Sequence, residues 1–214
     1  MADYSHILGI ETAIGGGSLA LFHDDLELAS LEGGAGISRA EDLLPNISRL
    51  LDGCHIEAAE LTSIVVSTGP GSFTGIRVGI ATALGLRSAC SISCVGISAL
   101  EAMAFTSEIL RVIAAVPMGR DLVCLQSFTN LAPDCDPQLV PLDRLSLDLL
   151  RIDAPSVVCH ADIHENVLAI APQNAQVHNI GRKLASLLCL SARSRFAREQ
   201  IKPLFVDRRA FIKI

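Results

Sequence analysis

A glycine-rich turn between a β-branched run and a long apolar segment constrains this chain more than any other feature. Ser67-Thr68-Gly69-Pro70-Gly71-Ser72-Phe73-Thr74-Gly75-Ile76-Arg77-Val78-Gly79 follows Ile64-Val65-Val66 and opens an apolar stretch that runs to Ala89. Strand, glycine turn and helix in that order present backbone N–H groups to an anion or to a partner's loop. Ser72 or Thr74 can cap the helix. The stretch lacks the Gly-Lys-Ser/Thr ending of a phosphate-binding P-loop, and the first lysine of the chain is Lys183. The spacing of a dinucleotide-binding fingerprint is also missing. The layout is that of a phosphate loop without its usual phosphate chemistry.

The elements around the turn set the fold class. His6–Thr12, Ser18–His23 and Leu26–Leu31 read as three strands, the last two joined at Asp24-Asp25. Leu43, Leu44, Ile47, Leu50 and Leu51 recur at helical spacing and place a first helix over about Arg39–Gly53, with Pro45 near its start. Ile64–Ser67 is the fourth strand. The second helix, Gly75 to about Ala89, is apolar nearly all round, so it needs cover on more than one face. Gly75, Gly79 and Ala83 form a small-residue ridge along it: one side of the helix can pack on the protein's own sheet, and the other invites a partner subunit. Cys94–Ile97 is a short strand, and Ser98 starts a third helix through about Phe105. The order β-β-β-α-β-α-β-α is an α/β, ribonuclease-H-like layout. Val112–Val116 and Leu122–Phe128 open a second half. There, 130–156 reads as loop with one short helix near Leu145, Val157–Cys159 as a strand and Asn179–Ala192 as a helix. The expected division is residues 1–106 and 107–214, the second part smaller and less regular.

Composition narrows the setting. Half of the 214 residues are hydrophobic and 19% are charged. No apolar run reaches the roughly 18 residues that span a bilayer. Met1-Ala2-Asp3-Tyr4-Ser5-His6 has no basic stretch of the kind that opens a secretion signal, so no membrane and a cytoplasmic location are expected. Seven cysteines, no Cys-x-x-Cys pair, and apolar surroundings at Cys90, Cys94, Cys124, Cys159 and Cys189 suit buried thiols in a reducing compartment. Aromatic residues make up 4% of the chain, too few for a base-stacking platform. The net charge of −6 is uneven: residues 1–181 carry 8 Arg against 21 Asp/Glu, whereas 182–214 carry 9 Lys/Arg against 2 Asp/Glu. The body repels nucleic acid; the C-terminal run is a solvated helix face with a tail, or a contact for nucleic acid or an acidic partner.

Four stretches together resemble the TsaB/YeaZ family, which acts in biosynthesis of tRNA threonylcarbamoyladenosine. They are Ile7-Leu8-Gly9-Ile10-Glu11-Thr12-Ala13 with Ser18-Leu19-Ala20-Leu21, Glu41-Asp42-Leu43-Leu44-Pro45, the turn from Gly69 to Gly79, and Pro203-Leu204-Phe205-Val206. The strong match covers about residues 6–105. The resemblance implies an actin-like fold of two ribonuclease-H-like domains and a non-catalytic subunit without cofactor or metal. It implies pairing with a catalytic TsaD-like paralogue through a bundle of the first two helices of each partner. Here that bundle would use Leu43, Leu44, Ile47, Leu51, Ile76, Gly79, Ile80 and Ala83, with Gly69, Pro70, Gly71, Ser72, Phe73, Thr74, Gly75 and Arg77 as the motif loop. It further implies a TsaE-like ATPase as third component, tRNA reached through the complex, and a homodimer when the partner is absent. Three positions depart from the family pattern: Glu11 replaces Asp, Arg39 replaces His, and Pro117-Met118-Gly119-Arg120 replaces an Asp-x-Arg turn.

Other residues offer competing chemistry. In actin-like enzymes an acid placed like Glu11, beside Thr12, holds the metal of a nucleotide; the structural alternative is a carboxylate that caps a nearby turn. A nucleotide site there would make the chain a standalone ATPase or phosphotransferase. His160 and His164 have metal-ligand spacing on a helix face, the pattern a metallopeptidase would need, although no Glu follows as in His-Glu-x-x-His. Glu101 lies three residues after Ser98, the spacing of a capping box. Arg77, on an apolar helix, must reach solvent or a carboxylate, either across a subunit interface or on the protein's own sheet.

Overall fold

The computed structural model describes residues 5–33, 40–144, 156–192 and 196–206. Strands β1 (His6–Glu11), β2 (Ser18–His23) and β3 (Leu26–Glu32) form an antiparallel meander. β4 (Leu61–Ser67) joins β1 in parallel and β5 (Ser93–Ile97) joins β4 in parallel, giving the order β3-β2-β1-β4-β5. Helices α1 (Ala40–Gly53), α2 (Phe73–Cys90) and α3 (Ala99–Thr106) follow β3, β4 and β5. The expected β-β-β-α-β-α-β-α order is present. Arg39 and the short helix expected near Leu145 lie outside the described residues.

A second mixed sheet repeats the first in its pairing. β6 (Arg111–Pro117) and β7 (Leu122–Thr129) are antiparallel, and β8 (Ala132–Pro133) and β9 (Gln138–Pro141) both pair with β7. β10 (Ser156–Cys159) runs parallel to β6, and β11 (Gln176–Asn179) parallel to β10. Helices α4 (His164–Ile170) and α5 (Leu184–Leu190) complete the second half. The helix expected over Asn179–Ala192 is shorter than its apolar pattern. Asn179 Oδ1 accepts from Gly181 N at 2.8 Å, and Gly181 turns the chain before α5 begins.

Strand periodicity explains the layers, since alternate residues face opposite sides of a sheet. Leu8 and Ile10 of β1 pack with Leu43, Ile47, Ile76 and Ala83 of α1 and α2. Ile7 faces the other way, with Ala102 of α3 and Ala185, Leu188 and Cys189 of α5. Side chains of α3 also enter the second core, where Leu100 and Met103 meet Val112, Phe128 and Val158. A division at 106/107 assigns α5 and 196–206 to the second half by sequence, yet both pack on the first sheet. Gly96 and Arg198 pair as an antiparallel bridge beside β5.

Candidate functional site

The glycine turn is held by its own backbone. Ser72 caps α2, its Oγ accepting from Gly75 N at 3.3 Å. Thr12 Oγ1 donates to Gly75 O at 2.7 Å, and Ser72 N donates to Ala13 O at 2.9 Å, so the end of β1 is tied to the first turn of α2. Gly69, at φ +105° before a cis proline, leaves no room for a side chain: a Cβ there would sit 2.9 Å from Leu204 O. Leu204 N in turn donates to Thr68 O at 2.7 Å, and Phe205 stacks on Phe73 with centroids 4.7 Å apart. The C-terminal stretch Pro203–Val206 therefore lies on the turn, joining two stretches far apart in sequence. Arg77 is exposed and lies over the Phe73 ring at 5.1 Å, away from the sheet. Thr74 is exposed and Pro70 buried.

Glu11 and Thr12 are both buried at the end of β1. Glu11 Oε1 accepts from Ala13 N at 2.5 Å and Ile14 N at 2.9 Å, while Oε2 is buried without a partner. Desolvation outweighs those two bonds and pushes the Glu11 carboxyl up to about 7. A cleft of about 580 Å³ opens nearby between the β1–β2 turn, the glycine turn and the β6–β7 turn, touching Ile14, Ser72, Met118 and Asp162. Among the described residues Asp162 is the one ionisable side chain in its wall, and Arg182 binds it at 2.6 Å. A metal-bound nucleotide needs an ionised acid facing the cleft and cations for its phosphates. Glu11 Oε1 is spent on two backbone N–H groups, and among the described residues the cleft wall holds no lysine or arginine for the phosphates, so these residues do not fit that group.

The two histidines do not converge. His160 is buried at the end of β10, and its Nδ1 accepts from Asp162 N at 3.2 Å as the cap of a single 3₁₀ turn. Burial holds its pKa below the usual value, so it is a neutral structural group. His164 begins α4 and its Nδ1 lies 3.2 Å from Glu165. The buried thiols are inert: burial pushes Cys94 to about 11 and Cys124 and Cys159 to about 12. Cys90 is half-buried.

The residues named for a partner bundle separate into two sets. Leu43, Ile47, Leu51, Ile76, Gly79, Ile80 and Ala83 face the protein's own sheet and are buried. The ridge Gly75-Gly79-Ala83 is the inner side of α2, where Gly79 packs directly on Thr12. Leu44 alone of the eight is open, at 53% exposure. The outer side of the two helices is a different set: Leu44 and Ser48 on α1, with Phe73, Arg77, Ala81 and Gly85 on α2. A Cβ at Gly85 would meet nothing within 4 Å. The small-residue ridge was legible from spacing; which of its sides faced out was not, because a helix apolar all round carries no phase.

Glu101 does more than cap α3. Its Oε2 accepts from Ser98 N at 3.2 Å, and both oxygens bind Arg198, at 2.7 and 2.8 Å. Sequence reading missed Arg198, which lies 97 residues away. Arg198→Ala leaves the Glu101 carboxylate largely buried with one backbone donor, and we expect a loss of about 2 kcal/mol. The readout is hydrogen exchange at Leu204 N–H, which should accelerate if this pair anchors the tail; unchanged protection would contradict it.

Comparison with known proteins gives these features a context. Residues 35–138 match the family model described as TsaD, tRNA N6-adenosine threonylcarbamoyltransferase. The chain is similar to the tRNA threonylcarbamoyladenosine biosynthesis protein TsaB of Bacillus subtilis, 32% identical over 98 residues, covering 46% of this chain and 43% of the relative. It is 33% identical to TsaB of Escherichia coli over 98 residues, covering 46% and 42%. The chain thus spans less than half the length of these curated relatives in alignment. Among solved structures, YeaZ from Pseudomonas aeruginosa superposes with TM-score 0.67 at 22% identity, over 94% of this chain and 100% of that one. An activator of 2-hydroxyisocaproyl-CoA dehydratase from Clostridium difficile, solved with bound ADPNP, superposes with TM-score 0.52 at 7% identity, over 86% and 92%. The class is therefore α/β with two mixed sheets, a fold shared with these proteins. Within that class, about half of the chain is similar in sequence to TsaB proteins.

Proposed function

We propose that this chain is a non-catalytic partner subunit in the formation of threonylcarbamoyladenosine on tRNA. It docks a catalytic TsaD-like paralogue, which transfers the threonylcarbamoyl group to the adenosine beside the anticodon. A TsaE-like ATPase completes the assembly, tRNA is engaged through the complex, and the setting is the cytoplasm. The two sheets are read as two ribonuclease-H-like domains of an actin-like fold, the first supplying the docking helices.

The observation that carries this reading is the outer face of α1 and α2. Leu44 and Phe73, at 53% and 56% exposure, flank small residues at Ala81 and Gly85. Small residues on an exposed helix let a second helix approach closely, and exposed apolar side chains beside them favour burial by a partner. The same face would pair two copies of this chain when the paralogue is absent. Among the described residues no helix is long and apolar enough to cross a membrane. The test is light scattering on the purified chain with its cell's TsaD-like subunit. A mass equal to one copy of each supports the reading; two unassociated species at micromolar concentration would overturn it.

A further inference from the structure

A second cavity, of about 610 Å³, lies outside both the cleft and the outer helix face. It is bounded by the ends of β4 and β5, the start of α3, β7 and the tail, and none of its wall belongs to α1 or α2. Three features set it apart. Ser98, 4% exposed, lines it; its Oγ faces the N3 backbone of α3 in a capping box, and its hydroxyl proton finds no acceptor. Gln126, 7% exposed, lines it too; its Nε2 donates to Cys135 O at 2.8 Å, which leaves Oε1 as an acceptor. Lys202 stands at the wall with an exposed side chain, beside the Glu101–Arg198 pair.

A buried hydroxyl proton without an acceptor is costly, and a ligand oxygen that accepts from it removes that cost. The charges specify the ligand's sign. Arg198 already neutralises Glu101 through two short bonds, so Lys202 is the unspent charge and the wall is net positive. The start of α3 adds partial positive charge at Ser98. The volume lies within the range of small-molecule sites. We propose that this cavity binds a small organic oxyanion, a carboxylate or phosphate monoester, whose anionic oxygens meet the Lys202 ammonium and the Ser98 hydroxyl. A polar group of the same ligand donates to Gln126 Oε1. The tail forms one wall, so an occupied cavity holds 198–204 in place against the glycine turn.

The experiment titrates the full chain with citrate and, separately, with inorganic phosphate, at constant ionic strength, by two-dimensional NMR. Glycerol is the uncharged control. Saturable shifts at Ser98, Glu101 and Arg198 amides with citrate or phosphate, and none with glycerol, are expected. Ser98→Ala and Lys202→Glu should each weaken binding by about tenfold. Ser98→Ala, which also removes the side-chain half of the capping box, should lower the melting temperature modestly, and Lys202→Glu should leave it unchanged. Citrate and phosphate arms that differ identify which oxyanion geometry the cavity prefers and support the proposal. Absence of saturable shifts for both anions overturns it. So does affinity that both variants leave intact.

Discussion

Gly79→Arg is expected to abolish the fold, while Gly85→Arg, six residues further along the same helix, is expected to leave it intact. At position 79 a side chain meets Thr12, whose Oγ1 holds Gly75 O at 2.7 Å, with Val66 behind it. Overpacking costs about 1–3 kcal/mol. Loss of the Thr12 bond costs about 1 kcal/mol more. Burying an unpaired guanidinium adds several further kcal/mol. The sum is comparable with the roughly 5–15 kcal/mol that hold a domain folded. At position 85 the added side chain enters open space, and replacing glycine in a helix gains up to about 1 kcal/mol. Circular dichroism melts distinguish the two. A cooperative melt for Gly79→Arg near the parent's temperature would show that the inner face of α2 is misassigned.

Glu11→Gln is expected to stabilise the protein at alkaline pH. Burial raises the Glu11 carboxyl from 4.5 to about 7 in the folded chain. Below pH 4.5 both folded and unfolded chains hold the proton, and the group contributes no pH dependence. Between 4.5 and 7 the folded chain retains a proton that the unfolded chain releases, so stability falls as pH rises. Above 7 both are ionised and the loss is complete, about 3 kcal/mol. Gln keeps the acceptor for Ala13 N and Ile14 N and is never charged. Urea unfolding at pH 4 and pH 8 is the check. Parent and variant should coincide at pH 4 and separate at pH 8 with the variant more stable. A variant less stable than the parent at pH 8 would mean that the ionised carboxylate has a partner.

The first sheet was legible because its strands carry clean signals. Ile7–Glu11 and Ser18–Phe22 alternate or run apolar, and Asp24-Asp25 marks the hairpin between β2 and β3. The glycine turn located the start of α2 to within two residues. The second sheet was harder. β8, β9 and β11 are two to four residues long and contain Pro, Gln, His and Asn, so neither length nor apolar pattern separates them from loop. The site was legible in part for a related reason. Motif residues such as Thr12, Ser72 and Gly75 act on their near neighbours or on one another, and local spacing exposes them. Arg198 and Phe205 act across roughly a hundred residues or more, and a contact of that separation leaves no periodic trace. The clearest misreading was of phase. Gly79 and Ala83 were read as part of a partner interface, and with Gly75 they pack on the protein's own Thr12, Ala13 and β4. The outward residues Ala81 and Gly85 lie half a turn away.

The central claim is that the outer face of α1 and α2 binds a TsaD-like subunit. Light scattering on mixtures of that subunit with the parent chain and with Gly85→Arg tests it most directly, provided the variant melts like the parent. The account predicts a one-to-one complex for the parent and separate species for Gly85→Arg. A complex of unchanged mass and affinity with the variant would contradict it and move the docking surface elsewhere on the chain.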